Sequence, residues 1–202
     1  MQPFTKITAI AAPLELANVD TDKIIPARFL RRLRGPGYEK LAFHDIRYDA
    51  DGRERADFVL NQAPYRDAEI LVAGANFGCG SSREAAVYVL FDYGIRSVIA
   101  PSFGDIHYGN ELQNGMLPVI LPDAACATLR AQLHASPGAA VAVDLEAQKV
   151  TGPDGAVYPF DIDANAKERL LKGLDDIGLV MQFSKDIEAF EQRHAAALPW
   201  LA

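Results

Sequence analysis

The sequence predicts an α/β fold built on a largely parallel sheet. Three observations carry this: short continuous apolar runs, helix-period segments between them, and glycine-bearing turns where the two meet. Apolar runs without polar alternation mark strands buried on both faces, and their alternation with helices marks βαβ units.

The elements follow in order. Ile7 to Ala11 alternates weakly and reads as a strand, leading into the polar turn Asn18-Val19-Asp20-Thr21-Asp22-Lys23 and the short apolar run Ile24-Ile25-Pro26. Residues 27–66 are mixed and turn-rich, with Asp51-Gly52 as a loop tip. Glu69-Ile70-Leu71-Val72-Ala73 is a buried strand, and Gly74 to Gly80 a glycine-rich turn. Ser81-x-x-Glu84 has the spacing of a capping box, which opens a helix with Ala85, Ala86, Val89 and Leu90 on its inner side and a stop at Gly94. Ser97 to Ala100 is the next buried strand, Ser102 with Asp105 starts a second helix ending near Gly115, and Leu117 to Leu121 is a third strand before a helix over Asp123 to Ala135. Ala140 to Leu145 and Ala156 to Ile162, flanking Gly152-Pro153-Asp154-Gly155, give a hairpin signal. From about Ala164 the pattern is helical, and Leu170, Leu171, Leu174 and Ile177 are expected to pack in the core. The expected organisation is one domain over 1–202, with about 164–202 as a helical C-terminal extension.

Composition narrows the function. The chain has 202 residues, 50% hydrophobic and 23% charged, enough for one substantial core. No apolar run approaches the roughly 18 residues that would suggest a membrane span. Met1-Gln2-Pro3-Phe4-Thr5-Lys6 lacks the layout of a signal peptide, so a cytoplasmic location is expected. A net charge of −7 argues against a nucleic-acid partner, which needs a basic face. Cys79 and Cys126 lie far apart and form no CxxC site, and His44, His107, His134 and His194 lack metal-ligand spacing, so no metal or cluster is expected on this chain alone.

The chemistry concentrates in Gly74-Ala75-Asn76-Phe77-Gly78-Cys79-Gly80-Ser81-Ser82-Arg83-Glu84. A strand end, a tight turn and a helix N-terminus together favour anions, because backbone N–H groups and the helix dipole point outward there. Gly78 and Gly80 permit positive φ and close approach, while Ser81, Ser82 and Arg83 add hydroxyls and a guanidinium able to grip a carboxylate at two points. No Gly-Lys-Ser/Thr follows the glycines and the GxGxxG spacing is absent, so this is neither a P-loop nor a dinucleotide fingerprint. Cys79 is read as packing rather than as a nucleophile, since no base stands beside it in sequence. The one dense basic run, Arg28, Arg31, Arg32 and Arg34 beside Gly35-Pro36-Gly37, admits two readings: a solvated mobile loop, or a lid that meets substrate carboxylates.

The Asn76 to Glu84 stretch resembles the signature of the swivelling domain of the aconitase superfamily, and within it the small-subunit family of 3-isopropylmalate dehydratases. Asn18 to Pro26, Asp92 to Ile106, Asn114 to Val119 and Gly173 to Leu179 are similar to further blocks of that family in the same order, so the resemblance spans nearly the whole chain. One departure is Ala85-Ala86-Val87-Tyr88, where the family commonly reads His-Ala-Pro-Trp.

The resemblance implies a layered β/β/α swivelling domain with a helical C-terminal tail. It implies a hydro-lyase subunit that interconverts 2- and 3-isopropylmalate through isopropylmaleate, in leucine biosynthesis. Ser81 would be the base, Arg83 would bind a substrate carboxylate, Asp22 would orient groups at the site edge, and Ser82 would contact the small dicarboxylic 2-hydroxy acid. The hydroxyl leaving group needs a Lewis acid, in this family a [4Fe-4S] cluster; this chain lacks the cysteines for one, so the cluster belongs to a partner large subunit. In this picture the basic loop is a substrate-selecting lid, with Leu30 and Phe29 against the isopropyl group and Arg31 or a neighbour drawing in a carboxylate. Related diacids of the homoaconitase, methylmalate or dimethylmalate type remain alternatives, as does a non-catalytic anion-binding module.

Overall fold

The structure, a computed structural model, describes residues 1–81 and 83–201. Strand β1 (Lys6–Pro13) is followed by the short helices α1 (Thr21–Ile24) and α2 (His44–Arg47). Then come β2 (Ile70–Val72), α3 (Glu84–Tyr93), β3 (Ser97–Ala100), α4 (Asp105–Gln113), β4 (Leu117–Ile120) and α5 (Asp123–Ala135). The chain continues through β5 (Ala140–Asp144), β6 (Lys149–Thr151), β7 (Val157–Pro159) and the helices α6 (Ala164–Lys172), α7 (Asp176–Met181) and α8 (Ser184–Ala197). The seven strands form one mixed sheet in the order β4-β3-β2-β1-β5-β6-β7. It is parallel from β4 to β1 and antiparallel from β1 to β7. The α/β class read from the sequence is the class observed.

The alternation of side chains along each strand divides the core in two. Leu71, Ala73, Val98 and Ala100 point to one face, where α3 covers them with Ala86, Val87, Val89 and Leu90. Ile70, Val72 and Ile99 point to the other, where α5 supplies Cys126, Leu129 and Leu133. With every residue of β2 and β3 buried, neither face can be left to water, which is why both strands read as unbroken apolar runs. Helix α5 reaches β1, β2 and β3 as it carries the chain from the β4 edge to β5. Strands β5 and β6 bury only alternate residues, Val141, Val143 and Val150, and leave their other face half wet.

Several local expectations are corrected. The N-cap of α3 is Arg83, with no side-chain cap, so the Ser81–Glu84 capping box does not form; Glu84 instead accepts a bond from Asn114 Nδ2 at 3.0 Å. On α3 the buried side includes Val87, whereas Ala85 is only partly buried. Gly104 rather than Ser102 caps α4, because the Ser102 hydroxyl is used by the N–H of Asn76. The hairpin around 152–155 is closed by β6 and β7, and the 140–144 strand pairs one step further back. Leu170 is fully buried and packs as expected, but Ile177 is 74% exposed. Indeed α7 and α8 bury none of their residues, and Val180 and Met181 on α7, Phe190 on α8 and Phe183 between them face the outside.

Candidate active site

The loops leaving the carboxyl ends of β1, β2 and β3 run side by side, the position where parallel sheets place their ligands. Asn18 N donates to Ala75 O at 2.9 Å, Gly78 N to Val19 O at 2.7 Å and Thr21 N to Cys79 O at 3.0 Å. On the other flank Phe77 N donates to Ser102 O at 3.0 Å and Gly104 N to Phe77 O at 2.8 Å. The glycine-rich turn is thus laced to both neighbours. Asn76 turns the chain at φ +61°, which its short amide tolerates, and its Nδ2 donates to Asn18 Oδ1 at 2.8 Å. Gly78 and Gly80 have φ of +71° and +88°, the left-handed geometry expected of them.

This lacing brings Asp22 to Arg83. Asp22 lies on α1, whose N-cap Asp20 accepts from Lys23 N at 2.7 Å. Arg83 Nη1 donates to Asp22 Oδ1 at 2.5 Å and Nη2 to Oδ2 at 3.1 Å. The guanidinium holds the Asp22 carboxyl below its usual range. Two donors of Arg83 are occupied by Asp22, which leaves the remainder of its five N–H groups for another carboxylate. Ser81 is exposed beside this pair in sequence, ahead of the ten-residue helix α3. The Ser82 expectation lies outside the described residues.

Two arginines anchor the basic loop, one at its start and one near its end, while residues 30–36 between and around them are exposed. Arg28 grips Asp45 at two points and lies over the Phe29 ring at 4.5 Å; the same arginine lowers the Asp45 carboxyl to about 2. Arg34 binds Asp92 through Nε at 2.8 Å and Nη2 at 2.6 Å, and lies 4.8 Å from the centroid of the Tyr88 ring. Between these anchors Leu30 is 41% exposed and Arg31 is exposed. Asp22 joins loop to turn, since Oδ1 also accepts from Ala27 N at 3.1 Å. The Arg34 anchor was missed in sequence because its partner lies 58 residues away. The Ala85 to Tyr88 departure now has a location: Ala86 and Val87 are core, and Tyr88 is the platform under Arg34.

Both cysteines are free, Cys79 half-buried and Cys126 buried with its thiol pushed up to about 11. Among the described residues no group of three or more His, Cys, Asp or Glu side chains is arranged to hold a metal ion. Nor is any described helix long and apolar enough to cross a membrane.

Sheet, laced turn and carboxylate–guanidinium pair define an α/β domain of the aconitase type, and residues 1–124 match the aconitase C-terminal domain family. Residues 127–164 match LeuD_N, and residues 176–202 match the C-terminal domain of the 3-isopropylmalate dehydratase small subunit. The chain belongs to the 3-isopropylmalate dehydratase small subunit family. It is 51% identical over 201 residues to the 3-isopropylmalate dehydratase small subunit of Dinoroseobacter shibae, covering 100% of both chains. It is 52% identical over 201 residues to that of Roseobacter denitrificans, again with 100% of each covered. A crystal structure of 3-isopropylmalate dehydratase from Methanocaldococcus jannaschii superposes with a TM-score of 0.66 at 25% identity, covering 92% of this chain and 99% of that one.

Proposed function

We propose that this chain is the small subunit of a hydro-lyase that interconverts 2- and 3-isopropylmalate by dehydration and rehydration, the step of leucine biosynthesis that shifts a hydroxyl to the neighbouring carbon. The observation that carries it is the Asp22–Arg83 pair, with the exposed Ser81 two residues ahead of Arg83 in sequence, within a chain similar from end to end to small subunits of that name.

The residues divide the work. Arg83, pivoted on Asp22, receives one substrate carboxylate through its remaining donors. Ser81 takes the proton from the carbon next to that carboxylate, with the α3 N-terminus favouring its ionised form. Ser82 contacts the substrate. Leu30 and Arg31, on the span between the Arg28 and Arg34 anchors, meet the branched end and the second carboxylate.

A [4Fe-4S] cluster on a partner large subunit supplies the Lewis acid for the departing hydroxyl. With two cysteines the chain has too few thiols to ligate one, and Cys126 is buried in the sheet core. The exposure of Ser81 and Asp22 fits a site closed by another chain. The free thiols fit a reducing, cytoplasmic setting.

The test is an anaerobic assay of this chain with its cluster-loaded large subunit, each subunit alone as control. Isopropylmalate, homocitrate, methylmalate and dimethylmalate are compared. Turnover of isopropylmalate by the mixture alone is expected. A Ser81→Ala complex should lose on the order of 10³-fold in kcat. Preference for another diacid would move the substrate assignment, and full activity of Ser81→Ala would end Ser81's role as base.

A further inference from the structure

One ionisable pair has no part in the chemistry above and lies directly behind it. His107, in the first turn of α4, and Glu111, one turn on, are both 0% exposed, with Nε2 and Oε1 3.0 Å apart. As polar partners the two side chains meet only each other, and His107 Nδ1 and Glu111 Oε2 have no hydrogen-bond partner among the described residues. Burial pushes the Glu111 carboxyl up. An ionisable pair in such a place costs desolvation that apolar side chains of similar volume would avoid, so it is a weak device for stability.

What the imidazole touches on its other side is the turn that leads to Ser81. A Cβ added to Gly78 would fall 2.1 Å from His107 Cγ and 2.2 Å from Cδ2: the ring fills the volume that a side chain at position 78 would need. The same ring meets Phe77 edge-on, with centroids 5.5 Å apart and planes at 62°. Gly104 N, at the N-terminus of α4, donates to Phe77 O, and Gly78 N donates to Val19 O, which ties the turn to the segment after β1. The ring therefore works as a wedge between α4 and the glycine turn.

We propose that His107 is a positioning residue for the reaction: the planar ring, backed by Glu111, sets the Gly78–Gly80 turn and through it the placement of Ser81. It acts through Gly78 and does not touch substrate. Its role rests on the reading of Ser81 as the base.

The experiment uses the complex with the large subunit and four variants: His107→Ala, His107→Leu, His107→Phe and Ser81→Ala. Removing the wedge by His107→Ala or His107→Leu should lower kcat at least about tenfold, since displacements near 1 Å at a reacting group have costs of that order and more. KM should change less than kcat, because neither partner of the two Asp22–Arg83 bonds is removed. His107→Phe keeps a planar ring and should restore kcat. If the alanine variant does not fold, His107→Leu, which keeps the core filled, decides the matter. Wild-type kcat in folded His107→Leu, or a folded His107→Phe as slow as His107→Leu, overturns the proposal. A fall in affinity for the large subunit that accounts for the whole loss overturns it as well. Ser81→Ala separates the two failures: if it remains active the base assignment falls first, whereas if it is dead while His107→Leu is unimpaired only the wedge is wrong.

Discussion

Asp22 and Arg83 stand 61 residues apart in sequence and meet through two bonds, Nη1 to Oδ1 and Nη2 to Oδ2. Neither residue alone defines a site. Their meeting depends on the backbone bonds that lay residues 18–21 along residues 75–79, so the carboxylate that orients the guanidinium arrives with the same zipper that shapes the turn.

Asp22→Asn should therefore reduce kcat/KM by about tenfold by loosening Arg83 while leaving the fold intact. The pH dependence follows from the sign of the shift. Arg83 lowers the Asp22 carboxyl from 3.8, so the pair is fully formed above that value and is lost only as pH falls through the lowered pKa. Between about pH 5 and 9 the variant and the parent should give pH–rate profiles of the same shape. A limb in that window that disappears in Asp22→Asn would contradict this.

Arg83→Lys keeps the charge but not the fork. A single ammonium cannot hold Asp22 and a substrate carboxylate in one plane, and KM should rise between about ten- and a hundredfold. Steady-state kinetics on the reconstituted complex measures it, and a KM within twofold of the parent would remove Arg83 from substrate binding.

The loop anchors bear on selectivity. Asp92→Asn releases Arg34 from the partner it binds at 2.6 and 2.8 Å, and should widen substrate preference more than it lowers kcat for the preferred diacid. Leu30→Ser should weaken discrimination for the branched substrate. Competition between isopropylmalate and methylmalate reads both, and unchanged ratios in the two variants would free the loop of a selecting role.

Glu111 gives a stability prediction of opposite sign to Asp22. Its buried carboxyl is raised above 4.5, so its contribution is complete below that value and erodes as pH rises. Glu111→Gln should gain on the parent as the buffer moves from pH 5 to pH 8, by about 2–4 °C in Tm for each kcal/mol relieved. A Tm difference that is flat with pH, or of reversed slope, would show that burial does not govern this group.

The parallel half of the fold was legible because its strands are buried on both faces, and burial of that kind leaves unbroken runs such as Ile70-Leu71-Val72. The turn was legible because Gly78 and Gly80 occupy left-handed positions that other residues avoid. What was not legible depended on partners distant in sequence. Glu84 abandons the capping box for Asn114, and Ser102 serves Asn76 instead of α4. Strand β6 has one buried residue in three, too faint a pattern beside the longer β5. Ile177 stands at helical spacing from Leu170 and Leu174 in sequence yet faces outward, because α6 ends at the left-handed Gly173 and α7 starts afresh at Asp176, so the spacing does not follow one helix. The His107–Glu111 spacing of four is visible in sequence, but its burial and its pressure on Gly78 are not.

The exposure of Ser81 and Asp22 has a consequence for enzymology. On the proposed function, a centre completed by a second chain behaves as a ligand-binding equilibrium whose ligand is a protein. Below the dissociation constant of the complex, rate per millilitre should fall with the square of total enzyme as the mixture is diluted, and return when either subunit is added in excess. Specific activity then becomes a measure of assembly, and an imbalance in the supply of the two chains would throttle flux as surely as an inhibitor.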